Sequence, residues 1–175
     1  MIGCHGKKFF SWLLLLGALV LTILLGLGII TTPQANAVIQ KIEEAPGQVV
    51  YQSRKKIKDQ HGNTWQVIAF KRILANGKIS VNLRLVGFPG VVEIDRTKPL
   101  LLTNSLGKTL TAVDVSSTIF TNGNYPESNV GQYDIEPLLP QLQAEIPLKL
   151  ILPTLGNQTI NLLCSSSFVK EWLTM

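Results

Sequence analysis

The sequence is short of the residues from which reactive centres are built. It holds two cysteines, Cys4 and Cys164, and two histidines, His5 and His61. Past the first forty residues one His and one Cys remain, too few for a structural zinc site, which takes four such ligands at set spacing. His61 stands in a predicted turn beside Gly62, and no Gly-x-Ser-x-Gly elbow accompanies it, so a hydrolytic triad has no parts to assemble from. There is no phosphate-binding loop or dinucleotide fingerprint, since Gly87-Phe88-Pro89-Gly90 has too few glycines and no helix after it. The expectation is no catalytic residue, no cofactor and no metal. A weak calcium site from Glu93, Asp95 and Asp114 comes nearest, and Arg96 and Lys98 neutralise it.

Charge is missing over a long stretch. Lys7 and Lys8 precede Phe9–Ile30, a run of 22 residues without an ionisable group, and the next charge is Lys41. Lysines before such a run and none soon after orient the N-terminus to the cytoplasm and everything past residue 30 to the far side. As a helix the run rises about 33 Å, enough to span a bilayer. Against retention, Pro33 breaks the helix and Ala35-Asn36-Ala37 offers small residues to a signal peptidase, giving a mature start at Val38. Residues 1–37 therefore read as a signal peptide or, if uncleaved, as a signal anchor holding the chain through residues 9–30. Residues 38–175 read as one exported β-rich domain. Cys4 lies before the apolar run, where a lipoprotein signal has no use for it. Export separates it from Cys164, which continues the alternation Ile160, Leu162 and is expected as a buried, inert thiol.

The charge that remains is weakly basic. The chain is +5, and without Lys7 and Lys8 the 14 cations past residue 37 exceed its 11 carboxylates by three. That excludes a nucleic-acid footprint of clustered cations. The densest run is Arg54-Lys55-Lys56-Ile57-Lys58. In an extended strand Gln52, Arg54, Lys56 and Lys58 point the same way, a basic stripe suited to an anionic membrane surface or an acidic partner, or to guarding a sheet edge. Phe88, next to Pro89, either projects as a contact for a partner or closes the core. Arg54, Lys55, Lys56, Lys58 and Phe88 form the candidate interaction surface.

Short apolar stretches cut by Gly, Pro and Asn predict an α+β fold, mainly antiparallel β, a meander or partly closed barrel of about 7–8 strands with two or three short helices. Val49–Lys58 and Thr64–Leu74 flank a loop centred on His61-Gly62. The Asn76-Gly77 pair predicts a two-residue hairpin loop, after which Ile79, Val81, Leu83 and Leu85 alternate with polar residues. Val91–Ile94, Leu100–Thr103 and Thr109–Val113 continue the meander, and Leu148–Leu152 with Ile160–Leu162 makes a last hairpin around Leu155-Gly156-Asn157. Asp114 is placed to cap a short helix through Phe120, and Asn122 to Pro126 reads as a loop. Ile135, Leu138, Leu139, Leu142 and Ile146 have helical spacing, predicting a helix from Pro137 or Pro140 to before Pro147. A terminal helix follows the caps Ser165-Ser166-Ser167, with Phe168 and Trp172 on one face.

The strings Ala45-Pro46-Gly47-Gln48, Trp65-Gln66, Leu83-Arg84-Leu85-Val86-Gly87-Phe88-Pro89-Gly90, Glu93-Ile94-Asp95-Arg96, Val130-Gly131-Gln132-Tyr133-Asp134 and Leu148 to Pro153 together resemble a cyanobacterial family of exported proteins catalogued as a domain of unknown function, DUF3122. The likeness covers nearly all of residues 42–174 and implies a setting, the periplasm or thylakoid lumen of a photosynthetic bacterium, without bringing an activity. The expected function is a non-enzymatic accessory or binding protein on the outer side of a membrane, meeting a membrane-protein complex or an anionic membrane surface and not nucleic acid. The alternative is a small apolar-ligand carrier of barrel type, which requires an open interior. A hydrolase without a recognisable motif ranks last.

Overall fold

A computed structural model of the chain describes residues 5–26, 39–120, 124–156 and 158–175. It divides into two compact units, residues 1–36 and 37–175. The first contains α1 (His5–Gly26), and among the described residues no helix is long and apolar enough to cross a membrane. Residues 27–30 of the uncharged run and the Ala35-Asn36-Ala37 site lie outside the described residues, as do Asn122, Gly123 and Asn157 of the two predicted turns.

The second unit is mainly β. Its strands are β1 (Gln40–Ala45), β2 (Gln48–Lys58), β3 (Thr64–Ile73), β4 (Ile79–Val86), β5 (Leu100–Asn104), β6 (Thr109–Asp114), β7 (Val130–Asp134), β8 (Leu148–Pro153) and β9 (Thr159–Cys164), followed by α2 (Ser166–Thr174). Among the described residues these nine antiparallel strands, rather than seven or eight, form one sheet in the order β1-β2-β3-β4-β7-β6-β5-β8-β9. The sheet stays open but curls, so that the end of β2 meets β9. Asp59 bridges to Leu162, and the Gln60 amide accepts from Asn161 N–H and donates to the Thr159 carbonyl, both at 2.7 Å.

The predicted alternation sets the two faces. Trp65, Val67 and Ala69 of β3 and Val81, Leu83 and Leu85 of β4 are buried on one side. They join Leu100, Leu102, Leu150, Leu152 and Leu162 across the curled sheet, and Val169 and Trp172 of α2 close the cluster. On the opposite side a smaller cluster, Val50, Ile68 and Phe70, packs with Val86. Both clusters lie wholly within residues 37–175, giving this unit the core of an independently folding domain.

Several expectations are corrected. The meander stops at β4, whose next neighbour is β7, while β5 and β6 form a hairpin beyond it. Val91–Ile94 is not a strand. Its backbone groups go to other loops: Ile94 N–H bonds to the Ser128 carbonyl at 2.9 Å, and the Glu93 carbonyl accepts from Leu155 N–H at 2.9 Å. Against the end of β8 it makes only an isolated antiparallel bridge, Ile94 to Thr154, too short to be a strand. The Asn76-Gly77 hairpin closes with a three-residue loop, with Gly77 at φ +78°, Leu74 N–H bonded to the Lys78 carbonyl and Gly77 N–H to the Leu74 carbonyl. The helix expected up to Ile146 is a 3₁₀ segment, Glu136–Gln141, ended by an extended Leu142. Pro137 at its start suits a first turn, but Pro140 inside it has no N–H to continue an α-helix. The spacing still delivers Ile135, Leu138 and Leu142 into the core. Asp114 supports only a 3₁₀ turn, Ser116–Thr118, accepting from the Ser116 N–H and hydroxyl at 3.1 and 2.7 Å. Ser165 stands at the start of α2 without a side-chain capping bond. The strands β1 and β7 were not expected.

Candidate functional site

The face opposite the core is where β2, β3, β4 and β7 bring polar chemistry together. Antiparallel register aligns Arg54 with Ile68, Ile68 with Arg84 and Arg84 with Gln132, and in the next row Gln52 with Phe70, Phe70 with Asn82 and Asn82 with Asp134. Directly opposite residues share a face, so these two rows run side by side across four strands. Lys56 and Lys58 extend the band along β2, and Arg72 extends it along β3.

Phe70 lies at the centre. The Arg72 and Arg84 guanidinium carbons stand 5.5 and 5.2 Å from its ring centroid, and the ring is 4 % exposed. Arg72 is matched by Glu44 of β1, with Nε and Nη2 donating to the two carboxylate oxygens at 3.0 and 3.2 Å. That fork, first of all, holds the Glu44 carboxyl below its ordinary range despite its partial desolvation. Arg84 has no such partner. Its Nε and Nη2 both donate to the Gln132 Oε1, at 3.0 and 2.7 Å. Burial and then the neighbouring Arg72 charge lower its affinity for its proton. Gln132 is buried and fixed from the far side, its Nε2 donating to Thr118 Oγ1 at 3.0 Å and its backbone N–H to Ser116 Oγ at 2.9 Å. Arg54 is exposed, and the Gln52 amide oxygen, turned toward it, accepts from Nε and Nη2 at 3.2 and 3.1 Å.

The candidate residues named from sequence divide by face. Arg54, Lys56 and Lys58 are exposed together on the outer side of β2. Lys55 projects to the other side, where it pairs with Glu171 of α2 at 2.7 Å and stands 5.4 Å from the Phe168 ring centroid, so it leaves the surface. The edge-guarding reading stays open, because β1 pairs with Gln48–Gln52 of β2 and ends before the run, leaving Arg54–Lys58 paired in the sheet, among the described residues, with β3 alone. Phe88 is 68 % exposed in the loop after β4 rather than in the core. Spacing along the chain does not point to Arg72, Arg84, Phe70 or Gln132; the register that gathers them is the signal that identifies them.

Elsewhere the polar groups serve the fold. Asp95 is held by Thr97 and Lys98, and Asp114 by Ser116. Among the described residues no group of three or more His, Cys, Asp or Glu gathers to hold a metal. His61 is exposed in its turn beside the Gln60 amide. Cys164 is buried and unpaired, its thiol pushed up to about 12 by desolvation.

A family model described as a protein of unknown function, DUF3122, matches residues 37–175. The chain belongs to this family. The match coincides with the β-rich unit, so the cationic face, the Gln132 brace and the α2 anchor are all parts of the DUF3122 domain. No curated protein and no solved structure matches the chain.

Proposed function

We propose that the DUF3122 domain is a non-enzymatic accessory or binding module that works after export, in a periplasm or thylakoid lumen, and docks through the outer face of β2–β4 on an anionic membrane surface. The observation that carries this is the placement of charge. Five cations, Arg54, Lys56, Lys58, Arg72 and Arg84, share that face with two carboxylates, Glu44 of β1 and Asp134 of β7, while the other nine cations past residue 37 are set against nine carboxylates. Nearly all the domain's excess charge thus lies on one side, the distribution that draws a protein to an anionic surface. The uncharged leader after Lys7 and Lys8 supports the compartment.

The carrier reading loses support from the interior, which is filled by Trp65, Leu83, Leu102, Leu150 and Trp172. A cavity lined by Leu102, Leu110, Leu142 and Leu148 measures about 10 Å³, room for a single water.

The test uses residues 37–175 and vesicles of phosphatidylglycerol in phosphatidylcholine. Each surface cation contributes about 1 kcal/mol near an anionic leaflet, so reversing Arg54, Lys56 and Lys58 to Glu lowers binding by ~100-fold or more at low salt. Wild-type binding weakens as salt shortens the screening length. Equal binding by the reversed variant, or a wild type captured only by an acidic membrane-protein complex and never by lipid, ends the membrane reading.

A further inference from the structure

Resting on that reading and deepening it, we propose that Arg84, stacked on Phe70 and braced by Gln132, is a seat for one oxyanion, and that the occupant is the phosphate of an anionic lipid headgroup.

A guanidinium drawn partly out of water ordinarily gains a carboxylate in return, because desolvating an unpaired cation is costly. Arg84 is half-buried, yet among the described residues no carboxylate comes within 4 Å of it, and its contacts are one neutral amide oxygen and one aromatic ring. Of the two carboxylates of the face, Glu44 is committed to Arg72 and Asp134 accepts from the Glu136 N–H. The charged neighbours of Arg84 are Arg72, Glu44 and Arg54, two cations against one carboxylate that Arg72 already engages, and an incoming anion relieves the repulsion that is left.

The support around it is of the kind that fixes a binding group. Gln132 takes the Nε and Nη2 hydrogens of Arg84 and is pinned by Thr118 and Ser116, while Ser116 is pinned in turn by Asp114. Phe70 fixes the plane of the guanidinium. These contacts leave further N–H donors of the fork unused, and a planar fork is the donor that matches two oxygens of a phosphate. Hollows lie at the two ends of the row rather than at Arg84 itself: one of about 430 Å³ lined by Gln40, Ile42, Gln52 and Arg54, and one of about 340 Å³ whose wall sets Arg72 and Lys78 against Asp134 and Glu136. Arg54, two strands away in the same row as Arg84, meets the bilayer around a headgroup seated there.

The experiment compares two substitutions on which a seat and a diffuse charge disagree. Arg84→Lys keeps every charge but loses the fork, whereas Lys58→Gln removes a charge from the stripe and leaves the fork alone. Residues 37–175 are titrated with phosphatidylglycerol vesicles, and thermal melts with sn-glycerol 1-phosphate are run against sodium chloride of equal ionic strength. The seat predicts that Arg84→Lys weakens vesicle binding about tenfold or more, beyond the roughly fivefold that loss of one charge gives Lys58→Gln, and that glycerol phosphate raises the wild-type Tm where chloride does not. Arg84→Lys binding as wild type, with Lys58→Gln the weaker of the two, overturns the seat and leaves surface docking standing. If Arg84→Lys does not fold, the wild-type melts decide: equal Tm in glycerol phosphate and chloride overturns the seat. A wild type that ignores vesicles but is stabilised by glycerol phosphate overturns the headgroup as occupant and the membrane reading with it, and supports a seat for a free phosphate ester.

Discussion

At the scale of single residues, Asp59 does most to hold the curled sheet together. Its Oδ1 accepts from His61 and Asn63 N–H at 2.8 and 2.9 Å, and its Oδ2 from Asn63 Nδ2 and the Trp65 indole at 3.2 and 3.0 Å. One carboxylate thus ties the β2–β3 turn to the largest buried side chain at the point where β2 meets β9. Burial alone raises its pKa, but the bonds from Trp65, Asn63 and His61 outweigh it and hold the group below its ordinary 3.8. The sign follows from linkage. A depressed folded-state pKa contributes stability that is full above 3.8 and is lost as pH falls below it toward the folded value. Asp59→Ala strands a buried indole N–H and is expected to cost ~2–4 kcal/mol, seen as a fall of roughly 10 °C in Tm at neutral pH. In urea melts at successive pH values below 4, wild type should lose stability more steeply than Asp59→Asn, and parallel curves would remove Asp59 from this role.

At the scale of elements, α2 depends on the side of β2 that the basic stripe does not use. Ser53 Oγ and Lys55 Nζ donate to the two Glu171 oxygens at 2.5 and 2.7 Å, while Val169 and Trp172 enter the core. Glu171→Gln removes the ion pair but keeps the shape. The prediction is faster amide exchange through α2, with a global loss of about 1 kcal/mol, since the pair is mostly but not wholly shielded from water. Unchanged exchange in α2 would show that its apolar face alone holds it.

Much at this scale was legible because alternation is local. Strands β3, β4, β5, β6, β8 and β9 carry apolar residues at alternate positions of their buried face, and Asn76-Gly77 marks its own turn. Strand β1 was not legible, because Gln-Lys-Ile-Glu-Glu-Ala is exposed at all six positions and its role is to pair with β2. Strand β7 was hidden by its composition, where Gly131 stands beside Tyr133: a Cβ at Gly131 would meet the tyrosine hydroxyl at 2.9 Å, so the strand needs a residue that strand patterns disfavour. The candidate site divides in the same way. Arg54, Lys56 and Lys58 lie on one strand and declare their shared face by spacing. Arg72, Arg84, Phe70 and Gln132 come from three strands, with Phe70 and Gln132 62 residues apart along the chain, and only register brings them together.

At the scale of the whole domain, the account turns on asymmetry: a filled interior, a helix anchored on the core side, and a cationic face on the other. The same molecule exposes Phe88 in the loop after β4, with Val91 of the same loop and Leu155 of the β8–β9 turn also open to solvent, an apolar end that could compete with the cationic face for a membrane. Hydrogen–deuterium exchange of residues 37–175, with and without phosphatidylglycerol vesicles, separates the two. The account predicts new protection across β2, β3 and β4 around Arg54, Phe70 and Arg84, with the 87–93 loop unchanged; protection confined to that loop, with β2–β4 exchanging as in free protein, would contradict it.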